Sequence, residues 1–133
     1  MTKAPTKIVA TVARYLLGLM FTVFGLNGFL HFIPSPQFPP GYLSDFFHAI
    51  VGSGFYVTVF AVQVICGILL LLDLYVPLAI VALAAVLVNI LTFHATMNPQ
   101  GFPMAILATI LWFLVAWPIR AQFACILVRK VSI

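Results

Sequence analysis

The sequence predicts an all-α protein: a four-helix transmembrane bundle with a short interfacial helix in the first external loop. Hydrophobic residues make up 65% of the chain and charged residues 6%, against roughly 25% charged residues in soluble domains. Four apolar runs of about 18 residues are each long enough to cross roughly 30 Å of hydrocarbon as a helix. These observations indicate a protein of the lipid bilayer.

The four transmembrane helices are expected at about residues 8–33, 53–73, 76–96 and 103–119. They form one membrane domain, residues 1–133, which leaves no room for a soluble catalytic domain. The three residues 73–75 join the second span to the third, so these two helices should form an antiparallel hairpin. Pro118 is expected to kink or end the fourth span, because proline removes a backbone donor.

The connection between the first two spans contains its own short helix. Four prolines between Pro34 and Pro40 end the first span and predict an extended loop. After them, apolar residues recur at i, i+3, i+4 and i+7, and polar residues take the opposite side. The apolar set is Leu43, Phe46, Phe47 and Ile50; the polar set is Ser44, Asp45 and His48. This pattern predicts a helix that lies in the outer membrane interface.

The basic residues fix the expected orientation. All six precede the first apolar run, which begins at Tyr15, or follow the fourth: Lys3, Lys7, Arg14, Arg120, Arg129 and Lys130. Because positively charged loops stay on the cytoplasmic side, both termini are expected there. The net charge of +4 comes from helix ends and does not form a basic face, so we expect contact with lipid headgroups and not with nucleic acid.

Five polar residues within the spans are the candidate site, because uncompensated polar groups are costly in hydrocarbon. They are Asn27, His31, Gln63, Asn89 and His94, all expected in the outer half of the bundle. One interpretation is a quinone pocket, in which an imidazole and an amide hydrogen-bond the ring oxygens between apolar walls. The other is that the amides join helices and the histidines lie at the wet interface.

Other chemistries find less support in the sequence. No metal site is expected, and haem or pigment ligation by His31 or His94 is disfavoured, because no metal-binding spacing is present. Cys66 and Cys125 do not form a C-x-x-C motif, which argues against a thiol-to-quinone relay. The chain has two acidic residues, too few for hydrolysis by paired carboxylates.

Two further groups of residues are interpreted as structural. Asp73 is expected near Arg14 or Arg120, in an ion-pair cluster at the cytoplasmic end of the bundle. Gly18, Gly25 and Gly28 on the first span favour close helix packing.

Three segments resemble the DoxX-like family of small bacterial membrane proteins. They read ARYLLGLMFTVFGLNGFLHF at residues 13–32, GILLLLDLYVPLA at 67–79 and VNILTFHATMNPQGFP at 88–103. The resemblance covers nearly the whole chain and implies a four-helix bundle in the bacterial cytoplasmic (inner) membrane. The family's name is linked to a thiosulfate:quinone oxidoreductase of sulfur metabolism.

Two functions are therefore expected to compete. In the first, the chain is an accessory, quinone-associated subunit of a membrane redox or electron-transfer complex. In the second, it is a structural or assembly subunit with no small-molecule site. Because the sequence holds no cofactor motif, both functions need a larger membrane complex as partner. The chain is expected to contact this partner through a glycine-bearing or phenylalanine-rich face of its own. Whether the chain is itself an enzyme is left open.

Overall fold

The computed structural model describes residues 4–131, which fold into helices and the loops and turns that connect them. The α-helices are α1 (Ala4–Leu30), α2 (Tyr42–Ser53), α3 (Phe55–Leu71), α4 (Val76–Thr96) and α5 (Phe102–Ala116). Two 3-10 helices follow α4 and α5, at Pro99–Gly101 and Arg120–Leu127. The all-α membrane fold predicted from the sequence is confirmed.

Four of the helices form a closed ring in the order α1, α3, α4, α5, and α5 returns to α1. Successive helices run antiparallel, so α1 and α4 face each other diagonally. We call the end that carries residue 4, the α3–α4 turn and the end of α5 the base, and the opposite end, with α2, the loop end. Leu17, Leu70, Ile80 and Leu83 are fully buried at the centre. The core continues into α5, which contributes Ala108, Leu111 and Val115, so all four helices of the ring build it.

Length and apolar composition identify the spans. α1, α4 and the segment 99–116 each qualify as a membrane-crossing helix, and the α2–α3 pair supplies a fourth if it is counted as one bent span. α2 and α3 meet at an angle of 84°. Gly54 forms the corner with φ of 74°, a left-handed conformation that costs glycine little. α3 thus runs along the bundle as one of its four helices, whereas α2 lies across the loop end.

Several helix ends differ from the expected bounds, such as the start of α1 at Ala4, and for two of them the local backbone gives the reason. α1 ends at Leu30, three residues before the predicted position 33, because His31 takes a left-handed φ of 52° that no α-helix can continue. α5 ends at Ala116, just before Trp117 and Pro118, so the proline stops the helix and does not kink it.

Glycines let α1 and α3 approach to backbone contact. A Cβ on Gly67 of α3 would lie 2.7 Å from the backbone nitrogen of Thr22, and one on Gly25 would lie 3.0 Å from that of Val64. Gly28 leaves room for the ring of Phe60, which a Cβ would approach to 2.2 Å. We call this contact the glycine seam. The glycine-bearing face of α1, expected to meet a partner protein, is therefore used inside the bundle.

A Schellman motif ends α3 at the base. Leu74 N–H donates to Leu69 O at 3.0 Å and Asp73 N–H to Leu70 O at 3.4 Å. Asp73 occupies the left-handed position of the motif, with φ of 57°, where glycine is usual. Its carboxylate Oδ1 lies 3.4 Å from Nε of Arg14, which also donates from Nη1 to the Leu70 carbonyl. Arg14 thus ties α1 to the end of α3.

Candidate functional site

His94 lies in the last turn of α4, at the loop end, and its ring is held by the turn that follows. Nδ1 of His94 lies 2.9 Å from the backbone oxygen of Asn98. A carbonyl oxygen only accepts hydrogen bonds, so Nδ1 carries a hydrogen and donates it to the Asn98 oxygen. In the neutral form of the ring, the other nitrogen, Nε2, is then a hydrogen-bond acceptor. The half-buried imidazole can therefore accept a hydrogen bond from a ligand hydroxyl.

The absence of a side chain at Gly101 makes room for this ring. A Cβ on Gly101 would lie 2.0 Å from Cε1 of His94, a distance that no real contact reaches. Gly101 belongs to the 3-10 turn Pro99–Gly101, whose start is set by the Asn98 N–H bond to the Phe93 carbonyl at 3.2 Å. Any side chain at position 101 would therefore displace the imidazole from this turn.

An aromatic cluster adjoins His94 through the ring of Phe93. The Phe93 and His94 rings meet edge to face with centroids 5.0 Å apart. Phe93 also stacks on Phe46 at 5.4 Å and meets the edge of Phe47 at 5.8 Å. Phe38 from the proline-rich loop stacks on Phe47 at 5.1 Å. This aromatic cluster fastens α2 to the end of α4 and gives His94 an apolar wall.

Asn27 and His31, predicted to face the same pocket, complete the end of α1. Oδ1 of Asn27 accepts the backbone N–H of Ile33 at 2.6 Å, and the Asn27 carbonyl accepts that of His31 at 2.9 Å. The His31 side chain is exposed. These contacts cap the end of α1, where the next residue, His31, has a left-handed backbone conformation.

Gln63 and Asn89 occupy different surroundings. Gln63 is 6% exposed and lies in the glycine seam beside Gly25. Asn89 is exposed on α4 and its Nδ2 donates to the Ala85 carbonyl at 2.9 Å. Within residues 4–131, no side-chain hydrogen bond joins any two of the five predicted site residues. One pocket shared by all five therefore stays a prediction.

At the base, the residues of the expected ion-pair cluster separate into two groups. Arg14 pairs with Asp73 and also lies over the Tyr15 ring, 4.5 Å from its centroid. Arg120 instead donates from Nη1 to the Trp117 carbonyl at 2.9 Å, and its guanidinium lies 4.8 Å from the Trp117 ring centroid. Arg14 thus links α1 to the end of α3, whereas Arg120 contacts the end of α5.

Sequence reasoning missed Asn98 and Gly101 as partners of His94. The signal was present as the turn Asn-Pro-Gln-Gly, residues 98–101, but it was interpreted only as a connection. A glycine seven residues after the histidine, in a turn that brings the chain back over the preceding helix, indicates that a side chain lies on the turn.

Comparison with known proteins gives one family. A family model described as DoxX matches residues 9–95, which include most of α1 and nearly all of α4. No curated protein and no solved structure matches the chain significantly. The matched region spans well over half of the 133 residues and contains the glycine seam, the Arg14–Asp73 pair and His94. The chain belongs to the DoxX family.

Proposed function

We propose that this protein is a small accessory subunit of a membrane redox complex and that it binds a hydroquinone at His94. The observation that carries the proposal is the bond between Nδ1 of His94 and the Asn98 carbonyl, which leaves Nε2 as an acceptor for a ligand O–H. A hydroquinone presents such a hydroxyl on an apolar ring. The family's link to a thiosulfate:quinone oxidoreductase supports the same class of ligand.

The surroundings of His94 favour the reduced ring over the oxidised one. A quinone offers only carbonyl acceptors, and these do not complement the bare Nε2 of a neutral imidazole. Phe93 supplies apolar surface next to the imidazole, and Phe46 stacks on Phe93. The proposed role is therefore to hold hydroquinone for a partner protein that carries the redox cofactor.

Binding of a short-chain hydroquinone to the purified protein tests this proposal. We expect decylubiquinol to bind the unaltered protein more tightly than decylubiquinone, and His94→Ala to weaken decylubiquinol binding by about tenfold, the loss of one buried hydrogen bond. Gly101→Ala should weaken it similarly, because the new Cβ displaces the ring. His48→Ala is the matched control, since that histidine is exposed on α2. Equal binding by the His94→Ala and His48→Ala variants rejects the site.

A structural or assembly subunit without a small-molecule site is the second candidate. It is supported by the local partners of Asn27, Asn89 and His94, each of which bonds a backbone group within its own helix or the next turn. A lipid extract of the protein purified in mild detergent separates the two functions. Stoichiometric quinone or hydroquinone supports the first candidate, and its consistent absence supports the second.

We further propose that the protein resides in a bacterial cytoplasmic membrane with its base towards the cytoplasm. The basic residues support this orientation, because Lys7, Arg14 and Arg120 all belong to helix segments at the base. Lys3, which contributes to the same argument, lies outside the described residues. A larger complex would then meet the bundle through its lipid-facing apolar surface, since the glycine seam is already occupied by α3.

A further inference from the structure

An apolar groove runs between α1 and α5 on the outside of the bundle. Its base half encloses about 360 Å³ and is lined by Thr6 and Val9 of α1 and by Phe113, Trp117 and Pro118 at the end of α5. A second apolar hollow of about 360 Å³ continues it towards the loop end, between Phe24 and Met104. Together the two hollows are lined by residues between positions 6 and 24 of α1 and between positions 104 and 118 at α5 and its end.

A cation is fixed at the base end of this groove. Arg120 lies over the ring of Trp117, a wall of the groove, and one of its N–H groups is held by the Trp117 carbonyl. A guanidinium has five N–H donors, so the remaining ones are free to bind an anion. Both Arg120 and Trp117 are exposed, and Trp117 has 65% of its surface accessible.

The chain's own side-chain carboxylates are engaged elsewhere. The sequence contains two acidic side chains, Asp45 and Asp73. Asp73 lies 3.4 Å from Arg14, and Asp45 lies in α2 at the loop end of the bundle. Within residues 4–131, Arg120 thus forms no ion pair with a side-chain carboxylate, and it lies next to an apolar channel.

We propose that the base end of the α1–α5 groove is a binding site for an anionic phospholipid. The phosphate contacts the free N–H donors of Arg120, which suit a bidentate bond to two phosphate oxygens. One acyl chain lies in the groove between Val9 and Phe113. Trp117 marks the level of the headgroup, where tryptophan side chains concentrate in membrane proteins. The combination of a fixed cation and a groove for an acyl chain fits a lipid better than a detached phosphate, which would leave the groove unfilled.

This site is independent of the hydroquinone site, which lies at the opposite end of the bundle. A Trp112→Phe variant leaves Trp117 as the single tryptophan and permits a direct test by fluorescence. The protein is reconstituted into vesicles that contain either brominated phosphatidylglycerol or brominated phosphatidylcholine at equal mole fraction. Bromine quenches a tryptophan only on close contact, so the ratio of quenching constants reports the preference at Trp117.

We expect phosphatidylglycerol to be preferred by about fivefold, the attraction of one basic side chain to an anionic lipid surface. Arg120→Gln should bring the ratio to about one, since it removes the proposed phosphate contact. Lys7→Gln is the matched control: it removes a base-end charge, but Lys7 is rotated by about 100° from the groove residue Thr6. The preference should survive in that variant.

Three results would overturn the site. The first is equal quenching by both lipids in the parent protein, and the second is a Lys7→Gln loss as large as that of Arg120→Gln. The third is displacement of the lipid by millimolar inorganic phosphate, which would assign the anion site to a free phosphate. Native mass spectrometry of the unaltered protein with an equimolar lipid mixture gives the same comparison without the Trp112→Phe substitution.

Discussion

Asp73 pairs with Arg14 across the base of the bundle, although its backbone adopts a conformation better suited to glycine. The Oδ1–Nε distance is 3.4 Å and φ of Asp73 is 57°. Arg14 is 7% exposed, so its charge depends on the few groups that reach it: Asp73, the Leu70 carbonyl and the Tyr15 ring. The ion pair therefore explains why an aspartate occupies the left-handed position of this turn.

Substitutions at Asp73 separate the effect of the ion pair on stability from the effect of the left-handed backbone conformation. Asp73→Gly and Asp73→Ala both remove the ion pair, but only alanine keeps a Cβ in left-handed backbone. We expect the alanine variant to be less stable than the glycine variant by about 1 kcal/mol, the strain of that conformation. Thermal unfolding of both proteins in one detergent measures the difference. If the two variants unfold together, backbone strain at this turn is not significant.

Gly67→Ala should destabilise the bundle strongly. The new Cβ would lie 2.4 Å from Thr22 Oγ1 and 2.7 Å from the Thr22 backbone nitrogen, so α1 and α3 must separate. Overpacking of this kind costs about 1–3 kcal/mol. Gly52→Ala in α2 is the control, because no atom lies within 4 Å of its added Cβ and alanine is the better helix former. A comparable loss of thermal stability in both variants would contradict the glycine seam.

Phe93→Ala should release α2 from the end of α4. Phe93 contacts Phe46 and Phe47, and aromatic pairs contribute about 0.5–1.5 kcal/mol each beyond the area they bury. We expect amide exchange in α2 to accelerate by about tenfold while α3 stays protected. Tyr42→Ala, which removes a ring that is 89% exposed, should leave exchange unchanged. Unaltered exchange in Phe93→Ala would show that α2 is held by other contacts.

Cysteine labelling tests the orientation of the bundle. Gln100 is exposed at the loop end, whereas the native Cys125 is exposed in the 3-10 helix at the base. An impermeant maleimide should label Gln100→Cys in intact cells, and Cys125 only after permeabilisation. Cys66 is buried in the core and should stay unlabelled in the folded protein. Labelling of Cys125 in intact cells would reverse the proposed topology.

The helices were predictable because their causes are local. Span length, the prolines after α1 and the amphipathic pattern of residues 43–50 each depend on neighbouring residues. The 84° corner at Gly54 was not predictable from the sequence. A Gly-Ser-Gly turn permits many angles between the helices, and the packing of Phe46 on Phe93 selects one of them. Likewise, Gly18 and Gly25 predicted close packing, but not that α3 would be the neighbour.

The candidate site was predicted less well, because hydrogen-bond partners on the backbone leave no trace in residue types. His94 was identified as a polar residue in a span, yet its partner is the carbonyl of Asn98, which any residue at that position would supply. Asn27 was grouped with it for the same reason. Its oxygen instead binds the Ile33 N–H, a contact that arises only from the left-handed turn at His31.

The glycine seam also bears on the order in which the protein is assembled. Chains fold from the N-terminus as they are synthesised, so α1 and α3 are present in the membrane before α5 emerges. Their contact needs no residue of α5, and it can close while the last helix is still in the ribosome. The groove beside Trp117 exists only after α5 has joined α1. Lipid bound there would distinguish a finished chain from a nascent one.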